Sequence, residues 1–425
     1  MLRPPKSASF QCLASSFAQA QLAFLMSKHS QPHCGQCSAG DLAMPVTTSS
    51  ASRRRWIQQV GLLGTMASLP AWSQPAKLPA AQRSVAIAQI VDLSQAQQDV
   101  SKDFLTGSRA AWQDINLRGG INGRPVQHLA VETDGTPANL RAALESVKVN
   151  TACVVMSGSV GDQLASQIVE IARQDGLNMA HAAPWLQNSS IEIDDKTFPI
   201  FAARQEQITY AVKTLAVMGM NEIGAVYGST RDHAAYHIEV ERIASSMKLK
   251  LVSFQAGGEL RVLGQKLTPS TPAILLFIGG TPELAEFTKG LEKQARQRYI
   301  VALADVNLAT MAQMGAARAT PVIVTQPVPL VNASMAIVRS YRETLGRLFD
   351  EPPTPLSLAG FIAARYTYEV LSTVEASLTR QNVLAAFQKR SSLDMGGFRI
   401  SFNEQRRSST YVTQSMLSAD GRLIG

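Results

Sequence analysis

The chain has little of what marks several common functional classes. Beyond residue 73 it holds one cysteine, Cys153; the other three, Cys12, Cys34 and Cys37, lie in the N-terminal stretch. A lone thiol forms no internal disulfide, so the fold has to be held by its core. After Arg55 no dense block of Lys or Arg occurs, which excludes the electrostatic footprint of a nucleic-acid binder. The net charge of +8 misleads here: residues 1–73 carry six basic side chains against Asp41 alone, and the rest holds 34 basic and 31 acidic. No phosphate-cradling glycine loop and no helix with paired metal-binding histidines is present, and no cofactor is expected. Aromatics are sparse at 6%, whereas Ala, Leu, Val and Ile abound, which suits layered helices and sheets.

What is present is globular in kind. Of 425 residues, 45% are apolar and 17% charged, a length that fits about two domains plus extras. Ser52-Arg53-Arg54-Arg55-Trp56-Ile57-Gln58 resembles the twin-arginine export signal. The apolar run Val60–Leu69 follows, too short to cross a bilayer, which takes about 20 residues, but suited to a signal-peptide core. Ala71-Trp72-Ser73 supplies small residues for cleavage, and a mature protein beginning at Gln74 is expected outside the cytoplasmic membrane. Residues 44–73 are therefore read as the signal peptide. Residues 1–43, rich in Ser, Ala and Gln, are read as a non-native or disordered extension, with Met44 (alternatively Met26) as the expected start. His29, His33, Cys34 and Cys37 superficially resemble a metal cluster. They precede the export signal and would be lost with it, so no metal site is expected.

From Ser84 short apolar strands alternate with helices. Strands are predicted at Ser84–Ile90, Pro125–Glu132, Ala152–Met156 and Leu177–Ala182, with helices at Ser101–Leu117, Asn139–Val149 and Asp162–Gln174 between them. A second set comprises strands at Ile223–Tyr227, Leu249–Phe254, Ala273–Ile278, Tyr299–Ala302 and Val322–Val324. Its helices are Gln207–Met218, Ala234–Met247 and Pro282–Gln297. Two long helices, Asn332–Leu348 and Ser357–Ser377, and strands near Gly397–Phe402 and Tyr411–Leu417 complete the chain. This alternation implies parallel sheets covered on both faces, and two sheets fit the length better than one.

The motifs carry a family resemblance. Phe104-Leu105-Thr106-Gly107, with Asp114-Ile115-Asn116 and Gly119-Gly120-Ile121-Asn122-Gly123 after it, resembles the signature of type I periplasmic binding proteins, in particular the leucine/isoleucine/valine-binding branch that feeds ABC importers. Thr133-Asp134, Gly158-Ser159, Gly279-Gly280 and Met395-Gly396-Gly397-Phe398 extend the likeness over about residues 83–417. The resemblance implies an α/β protein of two Rossmann-like lobes with parallel sheets, joined by a three-crossover hinge near Ala203, Gln326 and Gly397. Lobe 1 is expected to comprise 83–203 plus 327–396, and lobe 2, 204–326 plus 397–425. The implied function is capture of a small solute, an amino acid, amide or small carboxylate, for an ABC importer permease. The protein is expected to be a monomer without catalysis and without nucleic acid as a partner.

Ligand contacts follow by position. Ser159 matches a carboxylate-gripping hydroxyl of the family and precedes a helix whose N–H groups favour an anion; the alternative is a helix cap. Ala183 offers backbone groups, and Trp185 either stacks on the ligand or covers the cleft wall. On the second lobe Asp232 lies in Gly228-Ser229-Thr230-Arg231-Asp232-His233, where the family's Tyr-Gly pair is missing, and Thr281 replaces an aromatic. The family's acid that receives a ligand ammonium aligns near Ala304 or Asp305; Asp305 is the better candidate by its charge, with a cap on the helix near Asn307 as its alternative role. Because these departures cluster where specificity lies, a branched-chain amino acid does not follow. Three other readings stand beside this one: a receptor-linked sensor, a degenerate clamp, and a small amide or ester hydrolase. For the last, Ser157-Gly158-Ser159-Val160-Gly161 lacks the first glycine of a nucleophile elbow.

Overall fold

Strand β1, Val85–Asp92, is buried along its whole length, and its two faces feed different cores. Val85, Ile87 and Val91 join one apolar cluster, while Ala86, Ala88 and Ile90 join another. That two-sided burial, at the side-chain period of two, is why the sequence reads as an unbroken apolar run. The computed structural model describes residues 84–217, 220–255, 258–316, 320–408, 411–418 and 423–424. The expected extension and export signal and the His29–Cys37 group lie outside the described residues.

The first lobe is built on β1, β2 (Val126–Thr133), β3 (Cys153–Ser157), β4 (Ala180–Ala182) and β5 (Thr197–Phe198), all parallel, in the order β2-β1-β3-β4-β5. Helices α1 (Gln98–Leu117), α2 (Pro137–Val149) and α3 (Asp162–Gln174) connect the strands. The second lobe repeats this order with β6 (Glu222–Tyr227), β7 (Lys250–Gln255), β8 (Ile274–Ile278), β9 (Tyr299–Ala302) and β10 (Val322–Gln326), arranged β7-β6-β8-β9-β10. Its helices are α4 (Arg204–Val217), α5 (Thr230–Ser246), α6 (Leu260–Gln265), α7 (Thr281–Leu291) and α8 (Leu308–Gln313). Strand β8 is two-faced like β1: Leu275 and Phe277 enter one core, and Ile274, Leu276 and Ile278 the other.

After β10 the chain returns to the first lobe through α9 (Ala336–Leu348), α10 (Pro355–Ser372) and α11 (Arg380–Gln388). Helix α10 lies against α1 at backbone contact. A Cβ on Gly107 would sit 1.7 Å from the Ser357 carbonyl oxygen, and one on Gly360 1.9 Å from that of Phe104. Only glycine fits at that crossing. A short antiparallel hairpin follows, β11 (Leu393–Asp394) with β12 (Arg399–Ile400). The chain ends on the second sheet with β13 (Thr413–Leu417), antiparallel to β10, and β14 (Leu423–Ile424).

Three crossings join the lobes. The first falls at Ala203–Arg204 and the second beyond Gln326. The third differs from the expectation: Gly397 is not a crossing. Gly396 and Gly397 both have positive φ, 71° and 102°, and form the hairpin turn, while Phe398 and Ile400 pack into the first lobe's core. Ser408 N still donates to Pro199 O. Tyr411 still packs against Phe398, ring centres 5.6 Å apart, whereas Thr413 pairs with Gln326, so the second and third crossings run side by side. Other differences are local. The helix expected to run to Gln297 stops at Leu291, and β5 was not foreseen.

Candidate functional site

In a sheet of order 2-1-3-4-5, loops leave the carboxyl ends of strands 1 and 3 in opposite directions and open a crevice there. Both lobes turn this edge toward the same space. A cavity of about 500 Å³ is lined from the first lobe by Asp92, Ser94, Asp162, Ser166 and Glu170, and from the second by Ser229, Asp232, Tyr236, Gly279, Gly280, Glu283 and Asp305. Arg204, at the first crossing, lines it too. Its volume falls in the range of small-molecule sites.

The deepest wall is an ionic bridge between the lobes. Gly161 holds φ at 111°, a left-handed conformation natural to glycine, and delivers Asp162 as the first residue of α3. Asp162 Oδ1 accepts backbone N–H bonds from Gln187 and Asn188, both 2.7 Å. Its Oδ2 accepts from Arg204 Nη2 at 2.9 Å and from the Tyr236 hydroxyl at 3.0 Å. Arg204 Nη1 donates at 2.7 Å to Asp305 Oδ2, beyond the end of β9. The guanidinium lies 4.1 Å from the centre of the Tyr236 ring, a cation–π contact. Arg204 and Asp305 are 4% and 6% exposed.

Charges in this wall do not balance. Burial lowers the Arg204 pKa, but Asp305, Tyr236 and Asp162 more than offset this, and the guanidinium stays charged. One cation faces two carboxylates, and Asp162 holds the larger share of donors. The excess falls on Asp305: burial pushes its carboxyl up, the charge of Asp162 pushes further, and Arg204 opposes only in part. Asp305 Oδ1 is buried without a hydrogen-bond partner. Glu283 is similar: burial, then the charges of Asp232 and Asp99, raise its carboxyl, and its Oε2 also lacks a partner.

Two neighbouring contacts clamp the lobes beside the cavity. The Thr281 hydroxyl donates to Asp99 Oδ2 at 2.7 Å. Asn307 Nδ2 donates to Asp103 Oδ2 at 3.0 Å. Burial raises the pKa of both aspartates.

Of the six residues singled out in the sequence, the structure brings Asp232 and Asp305 to the cavity. Asp305 caps no helix, because Asn307 caps α8 by accepting from Ala309 N and Thr310 N. Asp232 is engaged with Ser229, whose hydroxyl donates to Asp232 Oδ2 and accepts from Asp232 N. The other four lie off the lining. Ser159 is fully buried, its hydroxyl 3.0 Å from His181 Nε2; it caps nothing, since the N-cap of α3 is Gly161. Thr281 spends its hydroxyl between Asp99 and the Asn307 N–H. Ala183 is fully buried with φ 46°. Trp185 packs in the first lobe's core against Phe104 and Phe201, ring centres 5.7 and 5.3 Å away, and borders a separate cavity of about 330 Å³ beside the second crossing.

Asp162, Arg204, Tyr236 and Glu283 were not singled out from sequence. The available signal was an arginine placed directly after the buried run Phe201-Ala202-Ala203, a charge that has to find partners once inside. The buried Ser159–His181 pair has the spacing of a nucleophile and base but not the setting. Burial depresses His181 to about 4, its Nδ1 has no partner, and the pair does not line the cavity.

A family model described as "Periplasmic binding protein" matches residues 84–419. No curated protein matches the chain significantly. Solved structures share the fold. An extracellular ligand-binding receptor from Verminephrobacter eiseniae is 18% identical, with TM-score 0.72, covering 80% of this chain and 100% of its own. A branched-chain amino acid ABC transporter protein from Thermus thermophilus, with bound valine, is 13% identical over 81% of this chain and 95% of its own, with TM-score 0.69. A fatty acid ABC transporter substrate-binding protein from Thermomonospora curvata is also 13% identical, with TM-score 0.69 over 80% of this chain and 90% of that one.

Proposed function

Because the chain belongs to the periplasmic binding protein family, an extracytoplasmic family, we propose that it is the solute-binding component of an ABC importer, closing its two lobes on a small polar solute. The observation that carries this is the cavity at the facing carboxyl edges of both sheets, lined by polar groups from each lobe. A solute touching both walls stabilises closure, because only contacts made in the closed state favour it. Among the described residues no helix is long and apolar enough to cross a membrane. Export through the twin-arginine-type segment at 44–73, action as a monomer and delivery to a permease complete the reading. Neighbours whose names specify valine and fatty acid share this fold, so the fold leaves the solute open and the lining has to decide it. Among solutes with an ammonium group, Asp305 is the acceptor.

The test is a thermal-shift screen of the full chain with amino acids, amides, amines and small carboxylates. A ligand at 100 times its Kd stabilises the native state by about 2.7 kcal/mol, a readily measured rise in melting temperature. A screen in which no compound raises the melting temperature refutes the importer reading.

A further inference from the structure

We propose that the solute is a small organic cation, an amine or guanidinium compound without a free carboxylate, seated against Asp305 and Glu283 of the second lobe and facing Asp92 and Glu170 of the first. This rests on the clamp reading above and specifies its ligand. Two side chains in the lining are basic, against six acidic ones. Arg204 has both terminal nitrogens committed to Asp162 and Asp305, so it presents no open fork to a ligand carboxylate. Arg231 is exposed on the first turn of α5.

Four acceptor atoms in this lining await a donor, Gln97 Oε1, Gln167 Oε1, Glu283 Oε2 and Asp305 Oδ1, against one unpaired donor, Arg204 Nε. Two of the four are carboxylate oxygens, and Asp305 is only 6% exposed. A buried carboxylate oxygen left unpaired is costly, and a charge-assisted N–H bond from a solute satisfies it. A carboxylate-bearing solute meets the opposite situation, since like charges repel in a site of low dielectric. Among the described residues no three His, Cys, Asp or Glu converge as a metal site. The spread of carboxylates therefore suits an extended organic cation more than a single metal ion. The chain shows what this wall accepts: its own guanidinium, that of Arg204, lies between two carboxylates and against the Tyr236 ring.

The experiment is calorimetric titration and thermal melting of the full chain with putrescine and agmatine, and with leucine, glutamate and acetamide for comparison. Each is run at low salt and at about 0.5 M NaCl, where charge attraction is screened. The expected result is binding of an amine, weakened by salt, with leucine and glutamate weaker or silent. Glu283→Gln and Asp305→Asn should each reduce amine affinity about 10-fold or more. Circular dichroism checks that both variants fold; should Asp305→Asn not fold, Glu283→Gln, at a half-buried position, decides alone. Leucine or glutamate binding more tightly than either amine overturns the cation assignment and leaves the clamp reading standing. No binding by any of the five overturns both, and amine binding unchanged in a folded Glu283→Gln overturns the placement.

Discussion

Replacing Arg204 by methionine tests whether the interlobe bridge is as dry as its burial states. Methionine keeps much of the side-chain length and removes the charge. Asp162 would keep its two backbone donors and the Tyr236 hydroxyl. Asp305 would lose the partner of its Oδ2, with Oδ1 already unpaired. Removing one partner of a buried ion pair costs about 3–5 kcal/mol, because the remaining charge is left uncompensated. Asp162's surviving donors place Arg204→Met near the lower end, about 3 kcal/mol, with the loss concentrated on Asp305. Adding Asp305→Asn removes that stranded charge, so the double variant should recover about half of the deficit as a coupling energy. The measurement is urea unfolding of the full chain followed by tryptophan fluorescence, at pH 7.5 and again at pH 5. Burial raises the Asp305 pKa already in the native protein, and losing Arg204 raises it further. The deficit of the single variant should therefore shrink at pH 5, as the carboxyl takes up a proton. A cost below about 1 kcal/mol, the range of exposed pairs, or a double variant no better than the single, would refute a water-excluded bridge.

The remaining expectations concern the scaffold. Gly360→Ala pushes a methyl into the Phe104 carbonyl, so the α1–α10 crossing has to open; a loss of about 2–3 kcal/mol by overpacking is expected, and an unchanged melting temperature would contradict the contact. His181 falls from 6.5 to about 4 on burial. The unfolded chain thus binds more protons below pH 6.5, and stability drops as pH falls from there toward 4, by about 3 kcal/mol at 1.36 per pKa unit. His181→Gln should flatten that limb of the stability–pH curve; an identical slope in the variant would exclude His181 as its source. The raised carboxyls of Asp305 and Glu283 act in the opposite sense, favouring the native state at low pH and losing that contribution as pH rises through their folded pKa values. The comparison of slopes is therefore made between wild type and variant, not read from one curve.

The architecture was legible because its central strands, β1, β3 and β8, are buried on both faces. Runs such as Val85–Ile90 and Ile274–Ile278 have no polar alternation to confuse them, and Gly279-Gly280 marks the turn after the second. Short elements escaped. Strand β5 is two residues long and offers no period to read. The hinge near Gly397 was misplaced for a physical reason: paired glycines signal a left-handed turn, and that signal is the same for a hairpin as for a crossing. Only packing separates the two, and Phe398 and Ile400 pack with the first lobe.

The site was harder because its partners are distant in sequence and ordinary one at a time. Asp162, Arg204 and Asp305 are separated by 42 and 101 positions, and nothing local in an Asp or an Arg announces that it will meet the others. Ser159 illustrates the reverse error. A serine after a strand and ahead of a helix N-terminus is well placed for an anion, but the turn lays it inward against His181. Asp162, three residues on, takes the position facing the cavity. That exchange matters beyond the one residue. A hydroxyl at a helix N-terminus invites a ligand carboxylate, whereas a carboxylate there consumes the helix end's attraction for anions internally. It also draws in Arg204, which in turn crosses to Asp305. One acidic side chain at the start of α3 thus accounts for the interlobe bridge, for the commitment of the buried arginine, and for the unpaired oxygen left on the opposite wall.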